Sequence, residues 1–404
     1  MSIETVEPTM DMPVGGKTAR QRRKALLTEI IAIAVLAGLL LFIIPPLLSV
    51  AGQGVRINQL GRFLALAIAA LGIDLIWGFT GLLSLGHGIF FSLGGYALAM
   101  YLQLQLPPGQ IPEFFTLYGV QELPFFWQPF YSLPFSLVAI VVLPAIVAAA
   151  LGYLVFRNRI RGVYFSILTQ AALIVFFNFF NGQQKLINGT NGLKTDTSTI
   201  FGIQVSDPRI QTLLYVLSIL FLIAGYALCR WLTSGRMGRM LVAIRDDETR
   251  VRFSGYNPTG YKVFVFAISA ILAGIAGALY TVQSGIITPS SSMGVAFSIE
   301  MVIWVALGGR ATLVGAILGT LIVNFAKTLL SEQFPEFWLF FQGALFLVVV
   351  TVLPSGILGW LRTEGMTWLR SRLGQTQLST YPSIELDPEV EYERKNLGDS
   401  ESDR

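Results

Sequence analysis

Long apolar runs separated by short polar joints occupy this chain from residue 26 to residue 360. Crossing a hydrocarbon core takes about 20 consecutive apolar residues in a helix. Runs of that kind fall at 26–50, 60–80, 83–105, 132–156, 162–181, 210–233, 259–282, 311–330 and 338–360, with a shorter one at 296–308. The pattern predicts an all-α polytopic membrane protein of about ten transmembrane helices, with eight as a lower bound, because a glycine-rich joint can be a break inside a re-entrant helix. Gly81 and Gly308 mark two such joints.

One compact segment breaks the apolar pattern. Residues 234–258 read SGRMGRMLVAIRDDETRVRFSGYNP, with five arginines from Arg236 to Arg252 around Asp246, Asp247 and Glu248. Such a segment cannot enter hydrocarbon and must lie at a membrane face. It also reads as a helix. Ser234 is placed to cap its start and Gly255 to end it, while Asn257 with Pro258 suits the opening of the next helix. Met237, Leu241, Ile244 and Val251 share one stripe, interrupted by Glu248. Two readings fit: a loop helix solvated or laid on headgroups, or a docking helix for a cytosolic partner.

Composition supports the membrane class, with 53% hydrophobic and 13% charged residues. Most of the 28 lysines and arginines fall on one side if the N-terminus is cytoplasmic, as the positive-inside rule expects, and both termini are then cytoplasmic. The first apolar run carries no trustworthy cleavage site and is expected to stay attached. The predicted organisation is a cytoplasmic segment at 1–25, a membrane domain at 26–362 containing the charged loop at 234–258, and a cytoplasmic tail at 363–404. From Ser383 onward that tail holds eight acidic residues against three basic ones and is expected to be disordered. The outer joints at 106–131 and 182–209 are too small for a catalytic domain, and Phe125, Phe126 and Trp127 read as an interfacial anchor.

Catalytic patterns are missing from the sequence. No G-x-x-x-x-G-K-[ST] cradle occurs, so no nucleotide-hydrolysing site of its own is expected. The single cysteine, Cys229, reads as a small buried hydrophobe, and the single histidine, His87, has no carboxylates near it in sequence to share a metal. No cofactor and no metal are expected in this chain, and it is not expected to be an enzyme.

The segment GFTGLLSLGHGIFFSLGGYALAMYL at 78–102 resembles the signature of permease subunits of branched-chain amino acid type ABC importers. NGTNGL at 188–193, IEMVIWVALGGRATLVGAILGT at 299–320 and LPSGILGW at 353–360 are similar to further parts of that pattern, so the resemblance covers roughly residues 60–362. The details DLIWGFTGLLSLGHG and GLK-T look most like the second permease subunit of urea importers. The resemblance implies a bacterial inner-membrane subunit that moves urea or a short-chain amide inward, with branched-chain or other amino acids as the alternative. A stand-alone urea channel or carrier is the reading from another class, and the charged helix argues against it. The implied partners are a second permease subunit, two cytosolic ATP-binding subunits that hold ATP and Mg, an extracytoplasmic substrate-binding protein and membrane lipid, with no nucleic acid.

The resemblance also implies that Ala243, Ile244, Arg245, Asp246, Asp247 and Glu248, followed by Gly255, form a coupling helix that docks on an ATP-binding subunit. Polar residues inside the spans are candidates for the translocation path, since an ionisable group at mid-membrane is costly. Asp74, Glu300, Ser84, His87, Thr169, Gln170, Asn178 and Asn181 are of this kind. Asp74 and Glu300 equally suit pairing with Arg62, Lys327 or backbone groups. Gly274, Gly277, Gly308, Gly315 and Gly319 have the small-residue spacing of close helix crossings.

Overall fold

The computed structural model describes residues 38–43, 45–46, 55–107, 110–200, 202–334, 337–352 and 356–360. The described residues through Gly359 belong to one compact unit. Ten longer helices are described: α1 (Val55–Thr80), α2 (His87–Gln103), α3 (Leu133–Arg157), α4 (Val163–Gly182), α5 (Pro208–Ser234), α6 (Arg236–Phe253), α7 (Pro258–Ser284), α8 (Val295–Gly308), α9 (Leu313–Gln333) and α10 (Trp338–Val352). Helices suit this environment because they satisfy all their backbone polar groups internally.

Among the described residues, seven stretches are long and apolar enough to cross a membrane: Arg56–Thr80, α3, α4, α5, α7, Pro289–Gly308 and α9. The expected count of about ten is therefore not reached within them. Most of the predicted first span, the cytoplasmic segment 1–25 and the tail 363–404 lie outside the described residues. The run at 83–105 folds as α2, 17 residues long, because the chain is not helical from 81 to 86. The run at 296–308, too short to span alone, gains a turn at Pro289–Ser292, and the joined stretch of 20 residues is long enough.

Helix α7 is the central post, packing along α1, α2 and α3. Helix α1 is almost wholly enclosed by protein, mostly by helices as apolar as lipid, with the charged α6 at its end. Burial in apolar surroundings gives helices little reason to associate in a bilayer, so close backbone approach has to supply the attraction. The glycines provide it. A Cβ on Gly277 would fall on the Phe91 carbonyl of α2, and one on Gly308 would fall on the Gly315 carbonyl of α9. The spacing read from sequence is thus used for crossing, between α7 and α2 and between α8 and α9.

Two short antiparallel pairs lie in the joints between helices. Strand β1 (Leu193–Lys194) pairs with β4 (Ile286–Ile287), and β2 (Thr199–Ile200) pairs with β3 (Ile203–Gln204). Thr195 N–H donates to Gly285 O at 2.7 Å, and Gln103 Nε2 donates to Lys194 O, so the joint before α5 is tied to the ends of α7 and α2. Asp207 caps α5 by accepting from Arg209 N at 2.8 Å. Trp127 Nε1 donates to Leu186 O at 3.0 Å while Phe125 stays exposed.

Candidate functional site

The charged segment folds as the helix its composition predicts, with two differences. Ser234 does not cap it: that residue is the last of α5, its hydroxyl donates to Trp231 O, and Gly235 occupies the cap position without a side chain to offer. The helix is also not continuous. Asp247 adopts an extended backbone (φ −156°, ψ 94°) and its Oδ1 accepts from Thr249 N at 2.9 Å and Arg250 N at 3.2 Å, capping a second short segment. Competition from a side chain that satisfies the backbone locally explains the break. Gly255, at φ +84°, ends the segment, and Asn257 caps α7 through Thr259 N at 3.1 Å.

The inner face of α6 is the predicted stripe: Leu241, Ile244 and Val251 are buried against the membrane domain. Glu248 shares that face, so it and Ile244 are not available to a partner as the sequence reading supposed. Lys262 Nζ lies 3.1 Å from both Glu248 carboxylate oxygens, Arg252 Nη2 lies 2.7 Å from Oε1, and Arg161 Nε lies 3.3 Å from Oε2. Burial pushes the Glu248 carboxyl up, but the Arg252 hydrogen bond and the Lys262 and Arg161 charges outweigh it and hold the group below the ordinary glutamate value. Lys262 is itself enclosed, with its ammonium 4.8 Å from the centre of the Phe156 ring. One carboxylate therefore anchors α6 to α7 and to the α3–α4 joint. The sequence by itself named no partner for Glu248. A lysine one turn inside an apolar helix is the signal that would have found the pair, since such a charge needs a partner.

The outer face carries what remains of the predicted set. Ala243, Arg245 and Asp246 are exposed, Asp247 is half-buried and Gly255 is exposed. Arg250, Phe253 and Tyr256 join them, and Phe253 is 88% exposed. Phe253 and Tyr256 were missed because they lie outside the acidic core of the segment.

Inside the membrane domain the candidate path residues separate into two groups. Asp74 is buried and its Oδ1 accepts from Ala311 N at 2.7 Å; Glu300 is buried and takes Lys327 Nζ at 2.8 Å. These two carboxylates are engaged in joining helices, the pairing alternative of the sequence reading. His87 Nε2 lies 2.6 Å from Ser269 Oγ on α7, and Ser269 Oγ donates to Gly72 O on α1 at 2.6 Å. Thr169 Oγ1 accepts from Leu85 N at 3.0 Å, and Ser84 Oγ accepts from Gly86 N at 3.3 Å, so the 81–86 break is a hydrogen-bonded polar segment held against α4. Both polar atoms of the Gln170 amide and His87 Nδ1 are buried without a hydrogen-bond partner. Asn178 is exposed and donates to Ile174 O of its own helix, and the Asn181 carbonyl accepts from Gln184. The structure brings Ser84, His87 and Thr169 together at the break; it turns Asn178 away. Cys229 is buried and free, and no cluster of three or more possible metal ligands exists among the described residues.

Comparison with known proteins agrees with this architecture. Residues 55–350 match the model of the family described as branched-chain amino acid transport system, permease component. The chain is 26% identical over 333 residues to the high-affinity branched-chain amino acid transport system permease protein LivM of Salmonella typhimurium, covering 77% of this chain and 70% of that protein. It is 24% identical over 312 residues to the corresponding permease protein BraD of Pseudomonas aeruginosa, covering 72% and 91%. A partial likeness, 28% over 153 residues, connects it to the ribose import permease protein RbsC of Haemophilus influenzae, covering 36% and 45%. No solved structure matches. With a multi-helix membrane domain, a charged helix anchored on one face and this match over most of its length, the chain belongs to the permease component family of branched-chain amino acid transport systems and is a membrane permease subunit, not an enzyme.

Proposed function

We propose that this chain is one transmembrane half of an ABC importer that carries branched-chain or related amino acids into a bacterial cell across the inner membrane. It pairs with a second permease subunit, receives solute from an extracytoplasmic binding protein and is driven by two cytosolic subunits that bind ATP and Mg, with both termini on their side. The observation that carries the reading is α6: a charged helix anchored to the membrane domain through buried Glu248, with Arg250, Phe253 and Tyr256 presented outward. A channel or uncoupled carrier has no use for such an exposed, rigidly seated surface.

Urea import is a second reading. It is favoured by the DLIWGFTGLLSLGHG and GLK-T details and by the uncharged groups at the break, since urea needs hydrogen bonds more than a counter-ion. The relatives named for branched-chain amino acid transport favour the first reading. Uptake of radiolabelled leucine and of radiolabelled urea at micromolar concentration, in cells with and without the gene, decides between them. Lost leucine uptake with urea uptake intact supports the first reading. The opposite result, with urea uptake insensitive to unlabelled leucine, replaces it by the second.

A further inference from the structure

Arg245 does something different from the rest of the outer face. Its Nη1 donates to Gly78 O at 3.0 Å, across 167 positions in sequence, while its Nε donates to Asp246 Oδ1 at 3.1 Å. Gly78 lies in the last turn of α1, where carbonyls have lost their helical partners and the helix dipole favours a cation. The aliphatic stem of Arg245 lies against Gly81, whose φ of +73° opens the 81–86 break.

The same turn of α1 meets the second break in the membrane domain. Gly78 packs so tightly on Ala311 that a Cβ would overlap its backbone, and Asp74, one turn earlier, accepts from Ala311 N at 2.7 Å. Ala311 has φ +57° and forms the turn between α8 and α9. The guanidinium of Arg310 stacks 5.0 Å above the Trp77 ring. The two interruptions, at 81–86 and 309–312, therefore converge on Trp77 and Gly78, and the charged helix is hydrogen-bonded at that point.

We infer that Arg245 is a positioning residue that ties α6 to the end of α1, so that α6, the start of the 81–86 break and the α8–α9 turn move together as one body. The inference rests on the importer reading and deepens it: docking belongs to Arg250, Phe253 and Tyr256, and transmission into the membrane domain belongs to Arg245. The 81–86 break is the segment that delivers this motion to α2, because it leads directly into His87 and is held on its other side by Thr169 and by Ser166, whose hydroxyl donates to Leu83 O at 2.7 Å.

The test uses the whole importer, this chain co-expressed with its companion subunits and reconstituted in vesicles, with radiolabelled leucine and radiolabelled urea run in parallel. Arg245→Ala is expected to keep the ATP-binding subunits co-purifying while solute imported per ATP hydrolysed falls at least tenfold. A covalent substitute for the lost contact is available. A Cβ at Gly81 lies 3.9 Å from that of Arg245, inside the range a disulfide spans, so Gly81→Cys combined with Arg245→Cys can be cross-linked. Oxidation of this double variant is expected to restore import several-fold over its reduced form, with Gly81→Cys alone reporting the strain at that positive φ. Wild-type coupling in Arg245→Ala, or an oxidised pair that transports no better than the reduced one, overturns the inference. If the wild-type chain fails to retain the ATP-binding subunits, the importer reading itself is overturned and the inference goes with it.

Discussion

Lys262 Nζ and the carboxylate of Glu248 meet at 3.1 Å from both oxygens in a pocket closed by the Phe156 ring, so a charged helix at the membrane face is fastened by an ion pair that water barely reaches. Removing one partner of a buried pair leaves the other charge uncompensated, at a cost of about 3 to 5 kcal/mol. Glu248→Gln and Lys262→Met are each expected to lower the thermal stability of the purified protein in detergent, and the double variant to lose less than the sum of the two. A double-mutant cycle on the unfolding midpoint checks this. Strict additivity would mean that the pair contributes nothing as a pair.

The same carboxylate gives a pH dependence of known sign. Glu248 titrates lower in the folded protein than in the unfolded chain, so its contribution is complete above the ordinary glutamate range and is lost as pH falls through its depressed folded value. Acid titration of stability should therefore be steeper in the wild type than in Glu248→Gln. Parallel curves would show that other carboxylates dominate the acid limb.

Glu300 and Lys327, 2.8 Å apart, offer a way to separate helix stitching from solute contact. Glu300→Lys and Lys327→Glu alone should each lower the yield of stable, monodisperse protein, because a partly buried like-charge contact replaces an attraction. The swapped double variant should recover much of the fold. Recovery of fold without recovery of uptake would place Glu300 at the solute after all.

Gly277 sits where α7 touches the Phe91 carbonyl of α2, and Gly260, on the same helix, has nothing within 4 Å of an added Cβ. Gly277→Ala is expected to destabilise by about 1 to 3 kcal/mol through forced separation of the two helices. Gly260→Ala should be neutral or stabilise by up to about 1 kcal/mol. Melting temperatures in one detergent compare the two directly.

On the outer face, Phe253→Ser and Arg250→Glu are expected to reduce the amount of ATP-binding subunit that co-purifies, with Phe253 the larger effect because a buried aromatic anchor usually dominates an interface. Full retention of the subunit in both variants would remove this surface from the docking site.

The membrane class and the helical nature of the charged segment could be read from the chain alone, because insulating a backbone from hydrocarbon and excluding five arginines from it are local demands that each stretch of sequence meets by itself. The ends of α6 were harder. Asn257 and Gly255 act where their residue types suggest, but Ser234 was absorbed by the helix before it, and the Asp247 break depends on a side chain choosing the backbone over continued helix. The role of Glu248 was not legible at all: a lone acid on an apolar stripe looks like an exposed interruption until Lys262, Arg252 and Arg161 are brought around it. Asp74 and Glu300 were partly legible: Arg62, Lys327 and backbone groups stood as candidate partners, but not that Asp74 takes the Ala311 N–H and Glu300 takes Lys327. Apolar periodicity along one strand of chain determined which segments enter the membrane. Which charges are spent on holding helices together, and which polar groups meet at the 81–86 break, was decided only by the tertiary structure, because a buried charge is satisfied by whatever the fold carries to within about 3 Å of it, however distant in sequence.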